Sequence, residues 1–376
     1  MAGRMLHDPE GRTEFQRYGQ REDEVIWSVH RGELNKTLLD AADARGVNVQ
    51  FQSALADIDF EGGLLAIDQG PDETRIERPF KLIVGADGAG SAVRRVMERS
   101  GEVNAVEDSL GHGYRELTIP PDGNGDFQLA PDALHIWPRG GFMMIALPNP
   151  DASFTCTLFL ALESERPDQP SFESLDDEDD MIEFLGAEFP DAVELIPDLR
   201  RELIERPVGY LATLYVDRWH HGSQALLIGD ASHAIVPFHG QGMNAAFEDV
   251  SELIDQFDRA GRSEASLKHF FQRRKPNADA IAAMAIDNYL EMRDRVRDPR
   301  FKLMKSLGET LHSRLGDDFI PRYQMVMFRD DIPYAEALER GQQQRQLLER
   351  LVAGKRRLAD IDIDAACAEA TRLEAA

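Results

Sequence analysis

Two stretches of this 376-residue chain place an aspartate among small residues at the end of an apolar run. The first is Val84-Gly-Ala-Asp-Gly-Ala-Gly-Ser91, followed by Ala92-Val93-Arg94. A carboxylate at the C-terminal end of a parallel strand sits where open α/β sheets bind ligands. Glycines such as Gly85 and Gly88 beside Asp87 permit close backbone approach, and Arg94 could meet a phosphate. A tight strand-to-helix turn without a ligand reads equally from the same residues. The second stretch is Gly229-Asp230-Ala-Ser-His-Ala234, which runs on to Pro237-Phe-His-Gly-Gln-Gly-Met-Asn244. Asp230 is suited to accept hydrogen bonds from sugar or polyol hydroxyls. The loop then enters a helix at Gly242, Met243 and Asn244, where free N–H groups and the positive dipole end favour an anion.

A third feature lies further on. Ile281, Met284, Ala285, Asn288 and Met292 share one helical face, so Asn288 is a polar residue on an apolar stripe. A buried amide needs a partner, either a ligand carboxylate or the protein's own backbone. The His, Asp and Glu residues show no metal-ligand spacing, and neither a nucleophile elbow nor a catalytic triad is found. Cys156 and Cys367 are far apart and suit a reducing compartment.

The elements that must position these residues read as mixed α/β. Val25–Val29 and Val47–Phe51 have strand character, with a helix through Leu34, Leu38, Ala41 and Ala42 ending near Gly46. Gly62-Gly63 suggests a hairpin turn, and Phe80–Val84 a buried strand. Between Tyr114 and Leu162 extended runs alternate with Pro and Gly. Phe154, Cys156, Leu158, Leu160 and Leu162 alternate with Thr155, Thr157, Phe159 and Ala161, as in an antiparallel sheet. Glu163–Asp180 reads as an acidic, solvated loop. Ala225–Ile228 is another buried strand. Met243, Ala246, Phe247, Val250, Leu253, Ile254 and Phe257 mark an apolar helix face, and helical periodicity dominates from Asn277 onward, with Leu347, Leu348 and Leu351 as a thin stripe.

The bulk numbers narrow the function classes. The 42% hydrophobic and 29% charged fractions are those of an ordinary globular chain. A net charge of −26 repels phosphate backbones and anionic membrane surfaces, so nucleic-acid binding is not expected. No apolar run is long enough to cross a bilayer, the charged stretch Leu358–Ala376 contains no spanning run, and no signal-peptide core is read at the N-terminus. The expected location is the cytoplasm.

Together the two aspartate stretches resemble the flavoprotein hydroxylases of the p-hydroxybenzoate hydroxylase fold. Gly85-Ala86-Asp87-Gly88 matches that group's DG motif and Gly229-Asp230 its GD motif. Further runs are similar to the kynurenine 3-monooxygenase family within it. They are Gly3-Arg4-Met5, Tyr18-Gly19, Val25–Ser28 with Arg31, Leu134–Pro138, Ile145–Pro148, Ser153–Thr155, Thr157–Phe159, Val236–Asn244 and Phe319–Tyr323. The resemblance covers nearly the whole chain. It implies FAD as cofactor, NADPH as co-substrate, and use of O2 to hydroxylate L-kynurenine to 3-hydroxykynurenine, a step of tryptophan degradation. It also implies that Asp87 acts at the FAD and NADPH sites, and that Gly88 and Arg94 belong with it. Asp230 would bind a hydroxyl of the FAD chain, with Gly229, Pro237, Gly240, Gln241, Gly242, Met243 and Asn244 completing the flavin site. The helix start at Gly242 would stabilise charge on the reduced flavin's pyrimidine edge. The substrate carboxylate would be held by Arg4, Tyr18, Asn288 and Tyr323, with Phe159, Met143 and Phe238 lining the ring pocket and His239 near the flavin. Arg4 rests on resemblance alone, because an arginine beside a terminus is usually solvated.

The implied architecture is an incomplete FAD-binding Rossmann-like domain (25–110 and 205–275) interleaved with an antiparallel-sheet substrate domain (1–24 and 111–204), with C-terminal helices (276–376) covering the substrate site. Full family members open with a strand, a Gly-x-Gly-x-x-Gly turn and a helix that takes the pyrophosphate. That pattern is not found here, and its loss is expected to expose apolar neighbours. A fragment or a late start is the favoured reading, since the remainder keeps its functional pattern. A related hydroxylase of another aromatic acid and a non-catalytic remnant are the alternatives.

Overall fold

The computed structural model describes residues 1–164, 166, 169–294 and 298–374. Along the chain come β1 (Gly3–His7), β2 (Thr13–Arg17), α1 (Arg31–Ala44), β3 (Ser53–Asp59), β4 (Leu64–Gln69), β5 (Thr74–Pro79), β6 (Ile83–Gly85) and α2 (Ala92–Arg99). Then follow β7 (Ala105–Ile119), β8 (Ala133–Pro138), β9 (Met143–Pro148), β10 (Phe154–Ala161), α3 (Glu178–Glu188), α4 (Pro190–Val193) and α5 (Leu199–Glu205). The remainder is β11 (Gly209–Val216), β12 (His220–His221), β13 (Ala225–Leu227), α6 (Asp230–His233), α7 (Gly242–Ala260), α8 (Glu264–Asp294), α9 (Pro299–Leu315), α10 (Arg322–Phe328), α11 (Tyr334–Leu351) and α12 (Ile363–Glu374). The chain divides into unit 1 (Met1–Leu34, Gly111–Leu211 and Tyr289–Ala376) and unit 2 (Asn35–Leu110 and Ala212–Asn288).

Unit 1 is organised by a seven-stranded sheet of order β11-β7-β10-β9-β8-β1-β2. Its pairs are antiparallel from β7 through β8 and again at β1–β2, whereas β1 runs parallel to β8. Side chains alternate across a sheet and paired residues share a face, so the register sorts every strand into two sets. One set is Trp137, Met144, Ala146, Cys156, Leu158 and Leu160, which form a core with Met181, Leu185, Phe189, Ile196, Leu199 and Leu203 from α3 to α5. We call this the core face. Burial there pushes the Cys156 thiol up to about 12, so it is an inert hydrophobe and not a reactive thiolate.

The core face carries Arg115, opposite Leu158 and over the Phe172 ring, and a buried polar cluster. His7 Nδ1 lies 2.8 Å from Asp191 Oδ2, His7 Nε2 lies 2.9 Å from His135 Nδ1, and His135 Nε2 lies 2.9 Å from the Ala130 carbonyl. The Trp137 indole N–H donates to Asp191 at 2.8 Å, and its ring stacks on His7 with centroids 4.1 Å apart. Burial alone would raise the Asp191 carboxyl, but His7 and Trp137 outweigh it and hold the group below the usual range. Burial lowers His135 and favours its neutral form.

Unit 2 holds a sheet of order β12-β13-β6, with β13 parallel to β6, and an antiparallel β3-β4-β5 ribbon. Val93, Val96 and Met97 of α2 pack with Leu226, Leu227, Trp219, Leu253 and Phe270. A C-terminal cluster in unit 1 joins Leu307 and Leu311 of α9 to Leu347 of α11 and Ala366 and Ala370 of α12. Among the described residues no helix is long and apolar enough to cross a membrane.

The mixed α/β class, the extended run from Tyr114 to Leu162 and the strand at Ala225 agree with the sequence reading. Other elements differ. Val25–Val29 and Val47–Phe51 are irregular, with Trp27, Val49 and Phe51 facing solvent. β-branched runs supply strand side chains, but a strand also needs a hydrogen-bonded neighbour. The strand expected over Phe80–Val84 shortens to Ile83–Gly85, and Val84 is exposed. The helix predicted through Leu34 to Ala42 forms, yet buries no residue. On α7 the buried residues are Ala245, Asp249 and Leu253, while Met243, Phe247, Val250 and Ile254 are exposed. The predicted stripe thus turns largely to solvent, and a buried aspartate takes the core position. The acidic stretch becomes helical at Glu178; its residues 165, 167 and 168 lie outside the described set.

Candidate functional site

The second face of the seven-stranded sheet gathers the predicted substrate residues of unit 1. Register carries Arg4 across to Leu134 and Gln16, Ile136 to Ile145, Ile145 to Thr157, and Met143 to Phe159. Arg4, Met143 and Phe159 therefore share one face, opposite the core face. We call this the site face. Tyr18 follows β2 two residues after Gln16, with its backbone N–H bonded to the Ala2 carbonyl, and so continues the same set.

Helices bring the remaining groups. Tyr323 of α10 stacks on Tyr18 with ring centroids 5.6 Å apart, and the Arg4 guanidinium carbon lies 5.8 Å from the Tyr323 centroid. Arg4 is only 6% exposed, so the solvated arginine expected at a chain terminus is replaced by a buried one. Its Nη2 stands 3.7 Å from Glu291 Oε1, a long ion pair. The Tyr18 hydroxyl interacts with that of Tyr323, while among the described residues Arg4 Nε makes no hydrogen bond. Gln324 Oε1 is also without a partner, although its Nε2 reaches the Tyr18 carbonyl at 3.5 Å. Buried polar groups are nearly always satisfied, so the unmet Arg4 Nε and Gln324 Oε1 beside these rings mark a place for a polar ligand. Burial pushes the Tyr18 phenol up to about 12, against the opposing pull of Arg4, and raises Tyr323 well above its ordinary value. Both phenols are neutral donors at physiological pH.

The sequence reading missed Gln16, Glu291, Lys305 and Gln324 here. Glu291 was accessible as the residue one helical turn after Asn288, and Gln16 as the same-face neighbour of Tyr18. Lys305 carried no local signal.

Unit 2 holds the two aspartate stretches. Asp87 is occupied as a cap: its carboxylate accepts from the Ser91 hydroxyl at 2.5 Å, from Ala92 N–H at 2.7 Å and from Val93 N–H at 3.2 Å, while Gly88 adopts φ +78°. Arg94 points inward, donating to the carbonyls of Ala231 and Ala89, so it ties the two stretches together. Gly229 adopts φ 58° and ψ −143°, a conformation essentially confined to glycine. Its N–H donates to Asp249 Oδ2 at 2.8 Å, which also meets His233 Nε2 at 2.6 Å; Oδ1 accepts from Arg274 Nε at 2.7 Å. Burial opposes ionisation of Asp249, but His233, Arg274 and the Gly229 N–H hold its carboxyl below the usual range. This buried anchor fixes the turn that delivers Asp230, which is exposed.

Pro237–His239 form a 3-10 turn with Phe238 and His239 buried, closed by left-handed Gly240 at φ 69°. Gln241 follows, its Oε1 accepting from Asn244 Nδ2 at 2.9 Å, and provides no side-chain cap to α7. The first-turn N–H groups at Gly242, Met243 and Asn244 have no intrahelical acceptor. These features fit a flavin: an exposed carboxylate for polyol hydroxyls, and an uncapped start to a 19-residue helix for an anionic ring edge. Asn288 also lies in unit 2, where its Nδ2 donates to the Phe238 carbonyl at 2.6 Å.

Comparison with known proteins adds a family. Residues 16–285 match the family described as FAD binding domain. The kynurenine 3-monooxygenase of Stenotrophomonas maltophilia (strain K279a) is 45% identical over 362 residues, covering 96% of this chain and 78% of that protein. The kynurenine 3-monooxygenase of Xanthomonas euvesicatoria pv. vesicatoria (strain 85-10) gives the same identity and coverage. Among solved structures, the tetrameric form of 2-methyl-3-hydroxypyridine-5-carboxylic acid oxygenase is similar at a TM-score of 0.58 and 19% identity, covering 79% of this chain and 76% of its own. That likeness bears on the fold.

Proposed function

From the premise that this chain belongs to the kynurenine 3-monooxygenase family, an FAD-dependent group, we propose that it hydroxylates L-kynurenine to 3-hydroxykynurenine. NADPH and O2 are the co-substrates of this reading. The observation that carries it is the buried Arg4 guanidinium, whose Nε is unmet beside the stacked Tyr18 and Tyr323 rings.

FAD, when bound and reduced, supplies the activation of O2 that puts one oxygen atom on the aromatic ring and releases the other as water. The chain's own residues bind and orient. Arg4 donates charge-assisted hydrogen bonds to the amino-acid carboxylate, and the neutral Tyr18 and Tyr323 phenols add donors. Holding the substrate at that end fixes which ring carbon is presented for oxygen transfer. Met143 and Phe159, both nearly or fully buried, offer an apolar wall that keeps water from the ring. In unit 2, Asp230 would accept from a hydroxyl of the FAD chain, and the N-terminus of α7 would favour negative charge at the flavin's pyrimidine edge.

The test is product analysis. With FAD, NADPH and O2 supplied, L-kynurenine yields 3-hydroxykynurenine, whereas other aromatic acids yield little hydroxylated product. Efficient hydroxylation of another aromatic acid, with kynurenine left unchanged, would overturn the assignment.

A further inference from the structure

We propose that Lys305 is a specificity-determining residue, a second cation that joins Arg4 in selecting substrates with a carboxylate. The proposal rests on reading Arg4, Tyr18 and Tyr323 as the carboxylate end of the substrate site.

Lys305 stands on α9, and its Nζ donates to Gln16 Oε1 at 2.7 Å. Gln16 is the residue directly opposite Arg4 in the β1–β2 register, so the ammonium reaches the site face beside the guanidinium. A second bond, from Gln20 Nε2 to the Glu309 carbonyl at 3.0 Å, holds α9 against the same hairpin. The charged groups facing the ammonium are Arg4 from β1, Glu14 from β2, Glu291 from α8 and Glu309 from α9 itself. Glu14 and Glu309 are exposed, and water screens their pull. Glu291 is the more sheltered carboxylate, and it is already set against Arg4. Two cations drawn out of water against one sheltered anion leave an excess of positive charge, which a ligand carboxylate neutralises.

The electrostatics agree. Burial, then the Arg4 charge, pushes the Lys305 ammonium down to about 8, with Glu309, Glu291 and Glu14 opposing. A lysine held below its ordinary value binds its proton less tightly folded than unfolded, so while charged it destabilises the ligand-free protein. A residue that works against the fold in this way is expected where function selects it.

Calorimetric titration of the full chain supplemented with FAD tests the idea without turnover, using L-kynurenine and kynuramine, its counterpart lacking the carboxylate. The unaltered protein prefers kynurenine. Lys305→Met weakens kynurenine binding roughly tenfold, the size of a lost charge-assisted hydrogen bond, and leaves kynuramine binding unchanged. Lys305→Arg restores most of the preference. The melting temperature of Lys305→Met at pH 7 equals or exceeds that of the unaltered protein, which separates lost recognition from lost folding. With the desamino acid as ligand, removing the substrate's own amine, affinity falls as pH rises past about 8 and is flat in the methionine variant. An unchanged kynurenine preference in Lys305→Met overturns the proposal. If Arg4→Met meanwhile abolishes that preference, the Lys305 role alone fails; if neither variant alters it, the reading of the site fails as well.

Discussion

The two faces of the seven-stranded sheet are built from the same strands and are both buried, yet they treat polarity in opposite ways. On the core face the His7, His135, Trp137 and Asp191 cluster is closed upon itself and accounts for its ring nitrogens and carboxylate oxygens within a short chain, although Arg115 Nε, opposite Leu158 in the register, stays unmet. On the site face Arg4 and Gln324 are just as buried but keep unmet hydrogen-bonding capacity side by side. Burial alone therefore does not separate a core from a site. What separates the histidine cluster from the Arg4 site is whether several adjoining polar groups close upon one another, because an open cluster costs stability that a ligand returns.

The comparison breaks most readily through neighbouring residues whose effects should fall on different measurements. Leu158→Ala, on the core face, is expected to cost about 2–5 kcal/mol of stability through lost packing and a residual cavity. Chemical denaturation measures it, and the protein that remains folded should bind kynurenine normally. Arg4→Met, on the site face, is expected to weaken kynurenine binding about 10- to 100-fold, the worth of a charge-assisted interaction, with the melting temperature held or raised. A large loss of stability in that variant would mean that Arg4 belongs to the core after all.

A finer cut uses Tyr18→Phe. Its hydroxyl meets that of Tyr323 in the free protein, so stability should fall little, while ligand affinity drops by roughly 0.5–1.5 kcal/mol. The smallest effect is in the pH dependence of melting. Asp191 is depressed in the fold, so its contribution is present above the ordinary carboxylate value, near about pH 4, and is lost as pH falls through the lower folded value. Lys305 is also depressed, but as a base it gives the reverse slope: stability rises as pH climbs from about 8 toward the ordinary lysine value. Asp191→Asn should flatten the acid limb of melting temperature against pH, and Lys305→Met the alkaline limb.

Much of this contrast was legible in the sequence, though unevenly. The alternation from Phe154 to Leu160 announces a sheet with two distinct sets of side chains, and the family resemblance points to Arg4, Tyr18, Phe159 and Met143. It could not say that Arg4 is buried, because that depends on α8 and α10 arriving from the far part of the chain. Lys305 is illegible for the same reason: its bond to Gln16 spans a sequence separation of 289. The strands expected at Val25 and Val47 were misread because side-chain type was visible and the hydrogen-bonding neighbour was not. On α7 the apolar periodicity was real, but the helix turns Asp249 inward, since that carboxylate is needed under Gly229.

The pairing of Arg4 with Gln16 also constrains how this hairpin can change over evolutionary time. Strand parity decides whether a side chain belongs to one surface or the other, so a single-residue deletion within Gly3–His7 would exchange Arg4 for a neighbour and carry the guanidinium into the apolar layer. Length variation should accumulate at the Asp8–Arg12 reversal, where an aspartate-capped turn can absorb it, while the strands on either side evolve by substitution and not by insertion.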